Sequence, residues 1–416
     1  LPLYGVGLPN HFFVRYDSGN DRINIETTES GTSYPDSFYE NRFGLKFEKK
    51  TPFFTQNLNK KQSLGAYLSN VGMVYHGNSS PKKAIFYLKP ATEINPLSIE
   101  AHNNLANIYG ETKQHKLALH QYQKALKADP NNVPTLFNIG QTYTDLSNPG
   151  RAIEAFLQVI QIEPSFTQAH RQLIRIYLKK EKYIGALLHL KQLVKANVND
   201  ISAHISMGKV YTKLKNYKLA IETLRPIKLR NPNNIQTLEA LAEVFYKMEK
   251  LDRSITEYRH ILEQHSKHLP TYIQLGWVYY RKGEFQMATA WTRRGLKLGI
   301  RSSQLASIAN MNLGLYAWLN GDHASAKKWY RNALEGGSDN ALKGILKDLQ
   351  ETTLLFPDHI EAAFFSGWAY MEAGKEKMAL PHLTRFLALA PDSELANEAR
   401  TMLGQDLLPE AAEKPF

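Results

Sequence analysis

Asn70, Asn104 and Asn138 stand 34 residues apart, the same interval leads on to Gln172, and Gln274 and Asn312 take the position up again further along. A carboxamide offers one acceptor and two donors, so a row of them can hold the backbone of an extended peptide whatever its side chains. Asn103 and Asn107 add amides beside Asn104. A second set is cationic. Arg171, Arg175 and Lys179 are spaced four apart, which stacks them on one helix face, and Lys209, Lys213, Lys247 and Arg281 extend the series. With no carboxylates between them, such a row would attract an acidic segment or a C-terminal carboxylate. The series then turns apolar, with Trp277, Tyr280, Trp318, Phe364 and Trp368. Large exposed rings favour recognition because they bury much area with few torsions to freeze. His260, His265 and His268 are not spaced to put three ligands on one face, so no metal site is expected. Gly5–Val6–Gly7 lacks the third glycine and the following helix of a dinucleotide turn, and no cofactor is expected. Each set has a plainer alternative: amides satisfying polar groups between helices, a solvated basic face, and aromatics covered by neighbouring helices or by an extra helix at Ala341–Phe356.

The elements that would position these residues repeat. From Gly65 to about Ser302 the chain aligns with itself seven times without insertion or deletion. One column is small (Gly72, Ala106, Gly140, Gly208, Ala242, Gly276), broken only by Ile174. Three residues on comes an aromatic: Tyr75, Tyr109, Tyr143, Tyr177, Tyr211, Phe245 and Tyr279. A second small column follows at Ala84, Ala118, Ala152, Ala186, Ala220, Ser254 and Ala288, and Pro96, Pro130, Pro164 and Pro232 close several units. Small residues let two helices of a hairpin approach closely, the aromatic fills the space beside them, and proline cannot continue the second helix.

By period and columns the chain is identified as a member of the tetratricopeptide repeat family, whose unit is a helix–turn–helix of about 34 residues that must stack on neighbours to cover its apolar stripes. The expected fold is therefore mainly α, an α–α superhelix. In that family the first helix of each unit lines the concave surface, where the amides, cations and aromatics would lie. The amide row resembles the asparagine ladder on the repeats of O-linked N-acetylglucosamine transferase. Amides at Asn103 and Asn107 replace the basic clamp of chaperone-binding repeats, so chaperone tails are not expected.

Residues 1–62 do not fit the repeat. His11–Tyr16 and Arg22–Thr28 alternate as strands about a turn at 17–21, which makes a hairpin in a small α+β segment, with one short helix around Pro35–Phe43. The stretch GVGLPNHFFVRY followed by INIETTESG resembles the C-terminal half of a bacterial transglutaminase-like domain. That resemblance implies a Cys–His–acid triad in which His11 matches the histidine and Glu26, or Asn24, the acid. A hairpin turning near Gly19 puts His11 beside Glu26 or Thr27. Such chemistry needs a thiol nucleophile, and the chain has no cysteine. The family's cysteine lies upstream of the histidine. As the chain opens on Leu1 rather than Met, it is expected to be a piece of a longer protein or to carry a degenerate domain, and to be inactive alone.

The expected organisation is 1–62 as this segment, 63–340 as repeats one to eight, 341–357 as an extra helix, 358–408 as a ninth repeat with a capping helix, and 409–416 as a tail. The formal charge of +12 favours acidic partners, no nucleic-acid motif accompanies it, and no apolar run is long enough to span a membrane. The compartment stays open, with the cytoplasm favoured, as does the oligomeric state. The function expected is a protein–protein interaction scaffold that holds an extended or acidic segment. The alternative is a transglutaminase- or protease-like enzyme whose repeats recruit substrate. A glycosyltransferase regulatory arm rests on the amide row alone.

Overall fold

The computed structural model describes residues 2–8, 11–26, 32–43, 57–298, 303–335 and 339–404, with the backbone alone at 7, 8, 11, 12, 43 and 303. Residues 51–56 and the tail at 409–416 lie outside the described residues. The chain divides into two compact units, 1–200 and 201–416.

The first unit opens with strands β1 (Leu3–Leu8), β2 (His11–Asp17) and β3 (Arg22–Glu26), an antiparallel sheet in that order, followed by helix α1 (Asp36–Phe43). Val6, Phe13 and Tyr39 are fully buried, and the Phe13 and Tyr39 rings stack at 4.4 Å. A charged side chain is buried with them. Arg15 is 2% exposed and donates from Nε to Asn24 Oδ1 at 2.7 Å and from a terminal nitrogen to Asp36 Oδ1 at 2.8 Å. A buried cation is tolerable only when paired in this way.

Four helix hairpins complete this unit: α2 (Lys60–Gly77) with α3 (Pro81–Ile94), α4 (Ile99–Glu111) with α5 (His115–Ala128), α6 (Val133–Asp145) with α7 (Pro149–Ile162), and α8 (Thr167–Lys179) with α9 (Tyr183–Ala196). The second unit has α10 (Ile201–Lys213) with α11 (Tyr217–Arg230), α12 (Ile235–Lys247) with α13 (Leu251–Gln264), α14 (Leu269–Arg281) with α15 (Phe285–Lys297), and α16 (Ser303–Leu319) with α17 (His323–Leu334). After a lone helix, α18 (Asp339–Leu355), come the pair α19 (Ala362–Glu372) and α20 (Glu376–Leu389) and the short α21 (Ala396–Met402).

The columns act as their chemistry requires. A Cβ on Gly140 would stand 2.5 Å from the Phe156 ring, and one on Gly208 2.6 Å from Leu224. In both hairpins the residue sixteen positions on presses directly against the glycine backbone. The aromatic column serves through its backbone as well. The carbonyls of Tyr109, Tyr143 and Tyr177 accept the amides of Gln114, Asn148 and Lys182 at 2.7–2.8 Å, closing a Schellman turn between the two helices of each pair. Such a turn needs one left-handed residue. It recurs at Ser79, Lys113, Ser147, Glu181, Lys215 and Glu249 with φ of 54–60°, and becomes glycine at Gly283, Gly321 and Gly374.

Candidate protein-interaction faces

The 34-residue period sets equivalent positions of successive first helices beside one another, and in the first unit this brings the amides together. Asn104 on α4 donates to Ser69 Oγ on α2 at 3.3 Å. Asn138 on α6 donates to Asn107 Oδ1 on α4 at 3.1 Å, and the same oxygen accepts the Tyr122 hydroxyl at 2.6 Å. Burial raises the Tyr122 pKa, so its phenol stays a donor. Asn103 Oδ1 accepts from Thr135 Oγ1 at 2.9 Å. All four amides are half-buried, and each uses only part of its capacity. Asn104 and Asn138 keep a free oxygen, and Asn103 and Asn107 a free NH2, among the described residues. Asn70, one unit earlier, makes no side-chain bond among them. Sequence reasoning missed Ser69 and Thr135, because nothing in their spacing marks them as partners.

The cations differ from the expectation of a row free of carboxylates. Arg171 pairs with Asp200 at 2.6 Å. In the second unit Lys213 lies 3.6 Å from Glu243, and Arg281 pairs with Glu249 at 2.7 Å. These carboxylates come from the following loop, the next first helix, or the turn at the end of the preceding one, so reading along a single helix face does not find them. Arg175, Lys179 and Lys209 are exposed and unpaired among the described residues.

Lys209 borders a cleft of about 400 Å³ in the second unit, walled by Glu239, Glu243, Tyr246, Gln274 and Trp277. Trp277 Nε1 donates to the Tyr246 hydroxyl at 2.9 Å, and Lys247 and Arg281 lie 5.3 and 5.8 Å from the Tyr246 ring centre. This cleft mixes charges; it is not a cationic groove. Of the expected exposed aromatics only Trp277 stays half-exposed. Tyr280 and Trp318 are 1% and 2% exposed, and Phe364 and Trp368 are buried with them. Thr352 on α18 bonds the Tyr280 hydroxyl at 2.8 Å, Trp318 lies against His359 and Phe365, and Phe364 lies against Phe365 and Phe386. His260 and His268 have separate partners, Asn233 at 3.0 Å and Thr271 at 2.7 Å.

At the sheet, Asp17 pairs with Arg22 across the turn, and the resulting register sets Glu26 opposite Phe13. His11 opens β2 opposite Leu8, two positions from Phe13, and its side chain lies outside the described residues. The register thus differs from the expected pairing of His11 with Glu26 or Thr27. Glu26 is 2% exposed and accepts the Tyr39 hydroxyl at 2.7 Å.

Three models of the tetratricopeptide repeat match residues 99–132, 121–154 and 274–341. The chain is a tetratricopeptide repeat protein. Its repeats make it a protein-interaction scaffold. Solved structures similar to it include a tetratricopeptide repeat protein from Parabacteroides merdae, 17% identical over 60% of this chain and 98% of that one, with a TM-score of 0.42. MamA is 23% identical over 41% of this chain and 92% of its own, with a TM-score of 0.37. YrrB, described as a tetratricopeptide repeat protein with an unusual peptide-binding site, is 17% identical over 44% and 95%, with a TM-score of 0.35. No curated protein matches the chain. Among the described residues no helix is long and apolar enough to cross a membrane.

Proposed function

We propose that the first-helix face of residues 60–200 binds an extended protein segment through its amide row. One observation carries this reading: the asparagines of α4 and α6 spend one amide atom on a neighbouring helix and keep the other unbonded, although the side chains are half-buried. The unbonded atoms are open to solvent rather than enclosed, and a peptide backbone supplies both donors and acceptors for them. The internal bonds also hold the row in place, so little freedom is lost on binding. Arg175 and Lys179 give acidic side chains of the segment a partner.

Asn70 provides the clean test, since it supports no neighbouring helix. An array of extended peptides probed with wild-type chain supplies ligands, and titration gives their Kd. A hydrogen bond contributes about 0.5–1.5 kcal/mol, so Asn70→Ala is expected to weaken binding roughly two- to tenfold with unchanged thermal stability. Asn104→Ala with Asn138→Ala is expected to weaken it further, with some loss of stability from the bonds to Ser69 and Asn107. Peptides that bind wild type and Asn70→Ala equally would remove the row from the binding face.

A further inference from the structure

The second helices α15 and α17 carry cations and no carboxylate: Arg293, Arg294 and Lys297 on the first, Lys327, Lys328 and Arg331 on the other. Two of the six are closed within the chain, Lys327 by Glu398 at 2.6 Å and Arg331 by Glu372. The other four are exposed and make no hydrogen bond or ion pair among the described residues. Tryptophans hold the arginines in place. The Arg293 guanidinium lies 5.8 Å from the Trp329 ring centre, and that of Arg294 lies 5.8 Å from Trp291 and 5.9 Å from Tyr272. Stacking on an indole attracts the cation and fixes the plane of its fork.

The chain itself displays what a tryptophan-backed arginine takes. Arg331 occupies the column of Arg293 one unit later, 38 residues on, the interval that also separates Gly276 from Gly314. It stacks on Trp368 at 5.6 Å, and its Nε and one terminal nitrogen donate to the two Glu372 oxygens at 2.9 and 2.8 Å. One unit earlier the position of Glu372 is Leu319, 53 residues back, the interval from Gly314 to Gly367. Arg293 therefore has no equivalent carboxylate. Asp322 feels its charge, but that side chain caps α17 by accepting the Ser325 amide at 3.0 Å.

We propose that the α15–α17 surface docks an acidic protein segment, whose carboxylates close Arg293 and Arg294 as Glu372 closes Arg331. A charge-assisted, two-pronged bond to a preset fork is a strong and directional contact. Nucleic acid fits less well. A guanidinium already lies beside each indole, so a base would have to compete with it to stack there, and four cations release few counterions. This surface lies on second helices and is independent of the amide row.

The test titrates the full chain against a fluorescein-labelled glutamate-rich decapeptide by anisotropy, beside a single-stranded oligonucleotide and phosphatidylserine vesicles. Arg293→Gln with Arg294→Gln is expected to weaken decapeptide binding at least tenfold. Arg293→Lys with Arg294→Lys keeps the charge, loses the fork and is expected to fall between. Lys116→Gln with Lys124→Gln on α5 removes the same charge elsewhere and is expected to leave Kd unchanged. Equal affinity of wild type and the arginine-to-glutamine variant overturns the proposal. So does an equal loss in the α5 control, or tighter binding of oligonucleotide or vesicles than of peptide. Should the glutamine variant not fold, the lysine variant decides, and unchanged affinity there overturns it.

Discussion

Around Lys113 the sequence puts glycine where it is least useful and a long side chain where glycine belongs. Gly110 is helical in α4, and a Cβ there would meet nothing within 4 Å. Three residues on, Lys113 takes the left-handed turn conformation with φ 60°. Exchanging the two, Gly110→Ala with Lys113→Gly, keeps the glycine count, so the extra freedom of glycine in the unfolded chain cancels to first order. What remains is the left-handed strain of a residue with a Cβ, about 1–2 kcal/mol. Separately, Gly110→Ala is expected to stabilise by about 0.5–1 kcal/mol, and Lys113→Gly by a similar or smaller amount after its entropy cost. The assay is urea denaturation followed by far-UV circular dichroism, comparing midpoints at constant slope. A double variant no more stable than wild type would mean that the turn is not strained. A Lys113→Gly variant clearly less stable than wild type would show that the lysine makes a contact outweighing the strain.

Two pH dependences follow, with opposite signs. His189 is 3% exposed, its Nδ1 lies 3.1 Å from that of His170, and burial, then the His170 charge, push its pKa down to about 4. A depressed base binds fewer protons folded than unfolded, so its contribution is complete above about pH 6.5 and lost as pH falls toward 4. The loss amounts to about 3 kcal/mol at roughly 1.4 kcal/mol per unit. His189→Gln, which recreates the His102–Gln121 bond found 68 residues earlier at 2.8 Å, is expected to flatten that dependence in urea titrations between pH 7.5 and 4.5. Asp348 behaves inversely. Burial, then Glu351, raise its carboxyl to about 7 against the opposing pull of Lys347, so the folded state is penalised as pH rises from about 4 to 7. Asp348→Asn is expected to raise thermal stability at pH 8, by up to about 4 kcal/mol, and hardly at all at pH 4; equal gains at both would show that ionisation is not involved.

What the sequence revealed and what it concealed have a common cause. Gly140, Tyr143 and Ala152 are constrained by neighbours within their own unit, and that constraint recurs, so a column exposes it. The left-handed position also recurs, yet Ser79, Lys113 and Glu181 share no chemistry and do not announce it. Arg171 looked unpaired because Asp200 comes from a loop 29 residues away. Tyr280 looked exposed because part of its cover comes from a helix outside the period, and Trp318 because its cover, His359 and Phe365, lies more than 40 residues on. The amide row was visible through its spacing. Its internal bonds were not, because Ser69 and Thr135 are legible only once adjacent helices are placed side by side.

The lone helix α18 also bears on how this chain could change over evolutionary time. In the first unit, buried apolar residues fall into separate clusters, one spanning Ala84 to Tyr122 and another Leu136 to Ile176. A 34-residue module could be duplicated or deleted there with only neighbouring seams to heal. In the second unit one cluster runs from Leu238 to Ala399, and the bond from Tyr280 to Thr352 spans 72 residues. Removing any module between them would strand a buried hydroxyl and uncover the wall that α18 closes. The core of the first unit is thus divided into separable pieces, while that of the second is continuous across its repeats.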